Sequence, residues 1–291
     1  MTTLGGYTLH ALDTGRFGLD GGAMFGIIPR ALWARHSEPD SKNRIPMGMR
    51  CLLLEGHGRL ILIDNGLGDT YTEKFGAIYA VDYEHSELHR SLRAAGFDAS
   101  EVTDVVLTHL HFDHCGGSTT RDADGTLRLV FPNATHHVQA THWAWAHESP
   151  RERASFLAEN LGPLEASGQL HLLTAAHSGP GSLFPHAELL TVDGHTRGQQ
   201  LVKLTAEADG SGETLLFAAD LLPTVAHVPL LWIMAYDIAP LDTLAEKKRL
   251  LAQAADEEWR IFFEHDAAVT TGRIARSERG DYLVEDAAPT L

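Results

Sequence analysis

A six-residue segment in the middle of the chain, HLHFDH at residues 109–114, contains four side chains of metal-ligand type. His109 and His111 stand two positions apart, so an extended segment places both imidazoles on one side, and Asp113 keeps that parity. His114 points elsewhere unless the chain turns, and the following CGG supplies a turn. The segment can therefore offer two ligand pairs at two adjacent points. A dinuclear metal site requires this arrangement, because its two ions lie about 3.5–4 Å apart.

The elements that would position these ligands are predicted to be alternating strands and helices. Apolar runs predict short buried strands, and four of them end at a residue that can bind a metal. These residues are His109, His195, Asp220 and His265. Loops at strand ends are where an α/β fold builds a site. The other patterns predict a hairpin at 51–64, helices at 86–96, 141–161 and 241–258, and strands at 127–131, 134–139 and 201–205, with two weak strands in 268–285.

Composition excludes several classes of function. The chain has 291 residues, with 23 Lys and Arg against 39 Asp and Glu, giving a formal net charge of −16. Such an acidic chain is not expected to bind nucleic acid or an anionic membrane. Two cysteines, Cys51 and Cys115, are too few for a disulfide framework. The sequence shows neither a signal peptide nor an apolar run of about 18 residues, so we predict a cytoplasmic protein.

HLHFDH resembles the H-x-H-x-D-H signature of the metallo-β-lactamase superfamily. Four further segments resemble the rest of that family's pattern in the same order along the chain. They are LIDNG at 62–66, GHTRG at 194–198, Ala219-Asp220, and His265 after an IFF strand. The resemblance covers about residues 50–270. It implies an α/β fold of the four-layer αβ/βα sandwich type, in which two mixed β-sheets are flanked by helices.

The same resemblance implies a single domain over residues 1–291 and a set of seven metal ligands. Residues 1–48 form its N-terminal segment, with a substrate-capping loop expected at 19–33. The first ion is assigned to His109, His111 and His195, and the second to Asp113, His114 and His265, with Asp220 bridging. Two divalent ions are expected, zinc first, with manganese, cobalt or iron as alternatives.

Several branches of the superfamily fit this chain poorly. Position 220 is Asp, whereas one group of β-lactamases has a Cys ligand there. Only 26 residues follow His265, whereas hydroxyacylglutathione hydrolases have a longer chain with a C-terminal helical domain. Flavodiiron proteins replace a motif His with Glu, and this chain does not. Nucleases of the superfamily bind polyanions, which a net charge of −16 disfavours. The segments 19–33 and DLLPT at 220–224 resemble the lactonase branch, which includes quorum-quenching N-acyl homoserine lactonases and organophosphate hydrolases. One departure is Pro223, where the best-known lactonases carry a Tyr.

We therefore predict a dinuclear metal-dependent hydrolase that uses a metal-bridging hydroxide, with Asp113 and Asp220 moving the proton. The predicted substrate is a small neutral apolar lactone, such as an N-acyl homoserine lactone. Organophosphate triesterase or another esterase activity is the alternative, followed by a non-catalytic metal-binding protein or an iron redox protein. The predicted substrate contacts are Met24, Phe25, Trp33, His227 and Tyr236. The alternative interpretation of Met24, Phe25 and Trp33 is a role in the core or in an interface. The apolar loop at 19–33 is also compatible with a homodimer.

Overall fold

The computed structural model describes residues 2–84 and 86–291. Its strands are β1 (Thr2–Leu4), β2 (Tyr7–Asp20), β3 (Arg44–Gly56), β4 (Arg59–Ile63), β5 (Asp104–Val106), β6 (Thr119–Arg121), β7 (Leu127–Leu129), β8 (Thr135–Gln139), β9 (Leu170–Leu173), β10 (Ala187–Val192), β11 (Gln199–Thr205), β12 (Thr214–Phe217), β13 (Arg260–Phe262), β14 (Thr271–Arg276) and β15 (Tyr282–Ala288). Its α-helices are α1 (Gly21–Phe25), α2 (Arg30–Trp33), α3 (Glu73–Ile78), α4 (Leu88–Ala94), α5 (Phe112–Cys115), α6 (Ala140–Glu148), α7 (Ala158–Ala166) and α8 (Pro240–Asp256).

The strands form two mixed sheets and one small hairpin. The first sheet has the order β1-β2-β3-β4-β5-β8-β9, and the second runs from β10 to β15 in sequence order. The β4–β5, β5–β8 and β8–β9 pairs are parallel, whereas the β1–β2, β2–β3 and β3–β4 pairs are antiparallel. In the second sheet only the β12–β13 pair is parallel. The mixed sheets flanked by helices confirm the predicted fold class.

The alternation of side chains along β3 and β4 explains how the layers pack. Leu52 and Leu54 point into a buried core shared with the second sheet, as Ile61 and Ile63 do. The intervening Leu53 points the other way, into a second core that also contains residues of α4, α6 and α7. A strand that is apolar on both faces must be covered on both faces. Helix α8 packs against β14 and buries Leu250, Leu251 and Ala254.

The N-terminal segment contributes more regular structure than the sequence patterns predict. They predict no strand before residue 51, yet β2 is 14 residues long and pairs along its length with β3. Its register shifts between Asp13 and Arg16, and such a bulge interrupts the period of two that marks a strand. Segment 19–33 is docked on residues 233–235. Gly26 has a φ of +56°, and a Cβ there would lie 2.5 Å from the Ile233 carbonyl oxygen.

The prediction of one helix over 141–161 is wrong, because the structure has two helices separated by a loop. Helix α6 ends at Glu148, and α7 begins at Ala158. Ser149 adopts an extended conformation, with a ψ of 121°, because the next residue is Pro150 and the residue before a proline is disfavoured in a helix. The break creates a loop at 149–157 that lies beside the predicted ligands. Among the described residues, no helix combines the length and the apolar character needed to cross a membrane.

Candidate metal centre

Three imidazoles and a carboxylate from three loops meet at the carboxyl ends of the strands. His109 and His111 follow β5, His195 follows β10, and Asp220 lies in a short turn after β12. His111 Nδ1 lies 3.1 Å from His109 Nε2 and 3.2 Å from His195 Nε2. Asp220 Oδ2 lies 3.2 Å from His195 Nε2. The four ligand atoms all fall within 4.8 Å of one another, as one ion requires.

A second group lies directly beside the first. Helix α5 turns the chain so that Asp113 and His114 face His265, which follows β13. His114 Nε2 and His265 Nε2 are 3.0 Å apart, and Asp113 Oδ2 lies within 4 Å of both. Asp220 also reaches this group, because its Oδ1 is 3.2 Å from His265 Nε2. Asp220 is therefore positioned between the two groups.

The donor set fits metal ions. Asp220 Oδ1 is buried and has no hydrogen-bond partner among the described residues, and such an atom is costly without a ligand. Burial and the neighbouring imidazoles hold the pKa of His109 well below its usual range, so its ring is neutral and can donate a lone pair. Burial would raise the pKa of Asp220, but three facing histidines outweigh it and lower that pKa well below its usual range. Imidazole and carboxylate donors suit zinc and similar ions.

Each ligand histidine is held through its other ring nitrogen. His111 Nε2 donates to Glu152 Oε1 at 3.0 Å, His195 Nδ1 donates to Asp237 Oδ1 at 2.9 Å, and His114 Nδ1 donates to Asp64 Oδ2 at 3.0 Å. His109 Nδ1 and His265 Nδ1 donate to Thr108 Oγ1 and to the Gly48 carbonyl oxygen. These bonds fix the tautomer in which the remaining nitrogen faces the centre. Such outer partners orient metal ligands and make them more basic.

Sequence reasoning missed Glu152 and Asp237 as partners of the centre. Glu152 lies in the 149–157 loop and also accepts hydrogen bonds from Trp145 Nε1 at 2.6 Å and Ser149 Oγ at 2.8 Å. No sequence pattern marks it, because it is brought to His111 only by the break between α6 and α7. Asp237 lies in the loop that precedes α8, and its carboxylate accepts a hydrogen bond from Thr243 Oγ1 at 2.8 Å.

Asp64 is the central residue of the motif LIDNG, and its hydrogen bonds organise the floor of the centre. It accepts hydrogen bonds from the Thr108 backbone N–H at 2.7 Å and the Thr108 hydroxyl at 2.6 Å, besides that from His114. Its φ is +54°, a left-handed conformation that costs a non-glycine residue about 1–3 kcal/mol. Ala219, beside the shared carboxylate, has a φ of +43°. Strained backbone therefore lies next to both His114 and Asp220, where packing and hydrogen bonds must maintain it.

Asp64 and Glu264 also form a third group with His114, within 4.8 Å. In this third group the His114 Nδ1 is already hydrogen-bonded to Asp64. We therefore interpret the third group as a set of residues that orients His114 within the second group. Burial raises the pKa of Glu264 above the usual range of a carboxyl, which favours its protonated form.

His142 joins the two principal ligand loops, whereas its sequence context indicates only surface or ordinary packing. Its Nε2 accepts from the Leu110 backbone N–H at 2.8 Å, and its Nδ1 donates to the Arg197 carbonyl oxygen at 2.7 Å. Burial lowers its pKa to about 3, so the ring stays neutral and keeps one donor and one acceptor. The HLHFDH and GHTRG segments are thereby fixed relative to each other.

A cavity of about 250 Å³ opens onto both groups. Its floor includes His111, Asp113, His195, Asp220 and His265. Its walls include the apolar side chains Leu19, Met24, Phe112 and Met234 and the polar side chains Tyr79, Arg151 and Tyr236. Met24 and Tyr236, two of the predicted substrate contacts, are thus on the cavity wall. Burial raises the pKa of the Tyr236 phenol, and the neighbouring Tyr79 and Asp113 contribute, so its hydroxyl is neutral and able to donate.

The other three predicted contacts, Phe25, Trp33 and His227, are not among the residues that line this cavity. Phe25 and Trp33 are stacked on each other and buried in a core cluster, with ring centroids 5.4 Å apart. The His227 ring also stacks on Phe25, with the two ring centroids 4.9 Å apart. Both of its nitrogens are engaged, with Thr224 Oγ1 at 2.7 Å and the Met24 carbonyl oxygen at 2.9 Å. These residues hold the 19–33 segment in place.

Comparisons with known proteins agree with this geometry. The profile of the metallo-beta-lactamase superfamily matches residues 48–265. N-acyl homoserine lactonase AiiA from Bacillus thuringiensis subsp. kurstaki is 27% identical over 231 residues, 74% of this chain and 80% of that protein. N-acyl homoserine lactonase AttM from Agrobacterium fabrum is 28% identical over 187 residues, 62% of this chain and 61% of that protein.

Solved structures show the same architecture. A probable metal-dependent hydrolase from Staphylococcus aureus is 25% identical and superposes with a TM-score of 0.85 over 99% of this chain and all of that one. AidC, a dizinc quorum-quenching lactonase, is 23% identical and shares the fold, with a TM-score of 0.76 over 98% of this chain and 95% of its own. The relatives are hydrolases and the fold is that of metallo-hydrolases, which confirms the predicted enzyme class. The chain belongs to the metallo-β-lactamase superfamily.

Proposed function

We propose that this chain is a dinuclear metal-dependent lactonase that acts on N-acyl homoserine lactones or similar neutral lactones. The observation that carries the proposal is the pair of ligand groups sharing Asp220 at the floor of one cavity. The sequence relatives that are named N-acyl homoserine lactonases support the substrate class. The dinuclear character is supported by the position of Asp220 between the two groups.

In this proposal His109, His111 and His195 hold one ion, Asp113, His114 and His265 hold the other, and Asp220 is shared. When bound, zinc or a similar ion supplies Lewis acidity and lowers the pKa of water to about 7. Histidines with a fixed tautomer keep the ligand atoms directed inward. Zinc, manganese, cobalt and iron all accept imidazole and carboxylate donors.

The chain's own polar groups then orient the lactone and carry the proton. Asp113 lies on the cavity floor and is the group that we assign to accept a proton from attacking water and return it to the ring oxygen. The Tyr236 hydroxyl lies on the cavity wall near Asp113 and is assigned to donate a hydrogen bond to the lactone carbonyl. Tyr236 would thus replace the Tyr that the best-known lactonases carry at the position of Pro223.

The cavity walls favour a neutral substrate with an apolar chain. Leu19, Met24 and Met234 offer apolar surface to an acyl chain, and burying each CH₂ contributes about 0.8 kcal/mol. The acidic carboxylates of the floor and the net charge of −16 disfavour polyanions. We therefore expect a longer acyl chain to bind more tightly until the cavity is filled.

The test is hydrolysis of a substrate panel by protein loaded with zinc, manganese or cobalt. The panel contains short- and long-chain N-acyl homoserine lactones, γ- and δ-lactones, paraoxon, a cephalosporin and S-lactoylglutathione. We expect the homoserine lactones to show the highest kcat/KM. A higher value for paraoxon would replace the proposal with a triesterase, and no lactone hydrolysis with any metal would refute it.

Two variants test the ligand assignment. Asp220→Asn and His195→Ala are expected to lower bound metal and hydrolysis together, because each removes a donor atom from the centre. Asp124→Asn, in an exposed turn, makes the same chemical change away from the cavity and serves as the control. Full metal content and unchanged turnover in both centre variants would contradict the assignment.

A further inference from the structure

A single guanidinium group lines the cavity that opens onto the two ligand groups. Among the described residues of the cavity lining, Arg151 is the only Lys or Arg. Its Nη2 donates to the Ala235 carbonyl oxygen at 2.7 Å, in the loop that precedes α8. This is the one hydrogen bond that its side chain makes within the described part of the chain. Because Arg151 is exposed, its remaining N–H groups are open to a ligand.

The backbone that carries Arg151 is anchored next to the HLHFDH segment. The neighbouring Glu152 accepts the hydrogen bond from His111. Further along, the Ser155 carbonyl oxygen accepts a hydrogen bond from the Phe112 backbone N–H at 3.0 Å. The backbone at Arg151 is therefore held in place relative to the metal ligands, and its long side chain extends from this fixed point to the cavity.

The contact with Ala235 places the guanidinium at a point of the backbone between two residues of the cavity wall. Met234 offers apolar surface, and Tyr236 carries the hydroxyl that we assign to the lactone carbonyl. An N-acyl homoserine lactone has its parts in the same order, with the amide between the acyl chain and the lactone ring. Only the ring Cα and the amide nitrogen separate its two carbonyl groups. A lactone held by Tyr236, with its chain toward Met234, therefore brings its amide carbonyl oxygen to Arg151.

We propose that Arg151 is a substrate-binding residue that donates a hydrogen bond to the amide carbonyl of an N-acyl amino lactone and thereby selects it over lactones without an amide. The inference rests on the proposed function and deepens it. An amide that leaves water without a new partner weakens binding, so the cavity needs a donor for it. A charged donor such as guanidinium forms a stronger hydrogen bond than a neutral one.

The bond to Ala235 permits a second interpretation, in which Arg151 only ties two loops together. These loops also carry Glu152 and Asp237, which support ligand histidines. Loss of a tie would disturb the centre and lower the hydrolysis of every substrate alike. Loss of an amide contact lowers only the hydrolysis of substrates that carry the amide. The two interpretations therefore predict different ratios of kcat/KM.

The experiment compares two matched lactones with the zinc-loaded wild type and Arg151→Met. One substrate is N-octanoyl homoserine lactone, and the other is an α-alkyl-γ-butyrolactone whose side chain has the same number of atoms but no amide. For the first, we expect the variant to lose about tenfold in kcat/KM, as the loss of a hydrogen bond to a charged group predicts. The loss should lie mainly in KM, because the amide is remote from the bond that breaks. For the second, kcat/KM should stay close to that of the wild type.

Arg153→Met is the matched control, because Arg153 is exposed in the same loop and does not line the cavity. It should match the wild type with both lactones. Circular dichroism and elemental analysis check that each variant is folded and keeps its metal. An equal loss for both lactones in Arg151→Met, or no loss for either, would overturn the proposal.

A second readout does not require hydrolysis. Isothermal titration calorimetry measures the Kd of the corresponding γ-lactams, in which an N–H replaces the ring oxygen and the ring resists hydrolysis. We expect Arg151→Met to bind the amide-bearing lactam about tenfold more weakly and the alkyl lactam with nearly unchanged Kd. If no metal supports lactone hydrolysis but this difference is found, the proposed function fails and the amide contact stands. Equal affinities of the wild type and Arg151→Met for the amide-bearing lactam, or no binding of it, would overturn the inference.

Discussion

Glu152 offers the sharpest test of how the protein supports its ligands. Its two carboxylate oxygens accept three hydrogen bonds, with Oε1 facing His111 and Oε2 facing Trp145 and Ser149. In Glu152→Gln, one of these oxygens becomes an NH₂ group, which cannot accept. Whichever way the amide turns, at least one donor then faces another donor.

The expected loss follows from the bond to His111. A hydrogen bond to a charged group contributes about 1.5–3 kcal/mol, which corresponds to a factor of roughly 10 to 150 in an equilibrium constant. Metal affinity of Glu152→Gln should therefore fall by about 10- to 100-fold, in line with other outer partners of ligand histidines. The fold should persist, because the side chains have nearly the same size.

The assay is competition for Zn²⁺ with a chelator of known affinity, followed by lactone hydrolysis at saturating metal. Glu165→Gln on the exposed side of α7 makes the same change where no side-chain partner is affected and should match the wild type. If folded Glu152→Gln keeps wild-type affinity, the reasoning that Glu152 orients His111 is refuted.

Three further predictions concern the cavity wall, the loop bridge and a buried amine. Tyr236→Phe should lower kcat/KM for lactones by about tenfold with unchanged metal content, since it removes one hydrogen-bond donor; equal kcat/KM would exclude the assigned role. His142→Phe leaves the Leu110 N–H and the Arg197 carbonyl without partners and should lower the free energy of unfolding by about 2–4 kcal/mol in denaturant titrations; a loss below about 0.5 kcal/mol would contradict the bridge. Lys247 is buried and donates to the carbonyl oxygens of His227, Pro229 and Trp232, and burial lowers its pKa to about 7. The unfolded chain keeps that proton up to about pH 10.5, so the unfolded state binds more protons between pH 7 and 10.5 and stability rises with pH across this window. The stability of the wild type relative to Lys247→Met should therefore increase from pH 7 to 10, and a difference that is constant with pH would contradict this.

The convergence of the predicted ligands follows from local sequence patterns. His109, His195, Asp220 and His265 each follow a short apolar run, and a strand that ends at a sheet edge delivers the next residues to that edge. The motif LIDNG likewise places Asp64 at the end of β4. The part of β3 from residue 51 onward and helix α8 likewise carry local apolar patterns, so both could be predicted from the sequence.

The partners of these ligands could not be predicted, because they depend on contacts between distant segments. Glu152 meets His111 across 41 positions, and Asp237 meets His195 across 42. The sequence predicts that Phe25 and His227 contact substrate, whereas in the structure their rings stack on each other and neither residue lines the cavity. An apolar or aromatic residue in a loop has the same local pattern in either role. The strand β2 is obscured by its bulge and its glycines.

The most direct test of the central claim is a crystal structure of the zinc-loaded protein with anomalous data collected at the zinc edge. We expect two anomalous peaks about 3.5–4 Å apart on either side of the Asp220 carboxylate. One peak should contact His109, His111 and His195, and the other Asp113, His114 and His265. A single peak at this position, or none, would contradict the account.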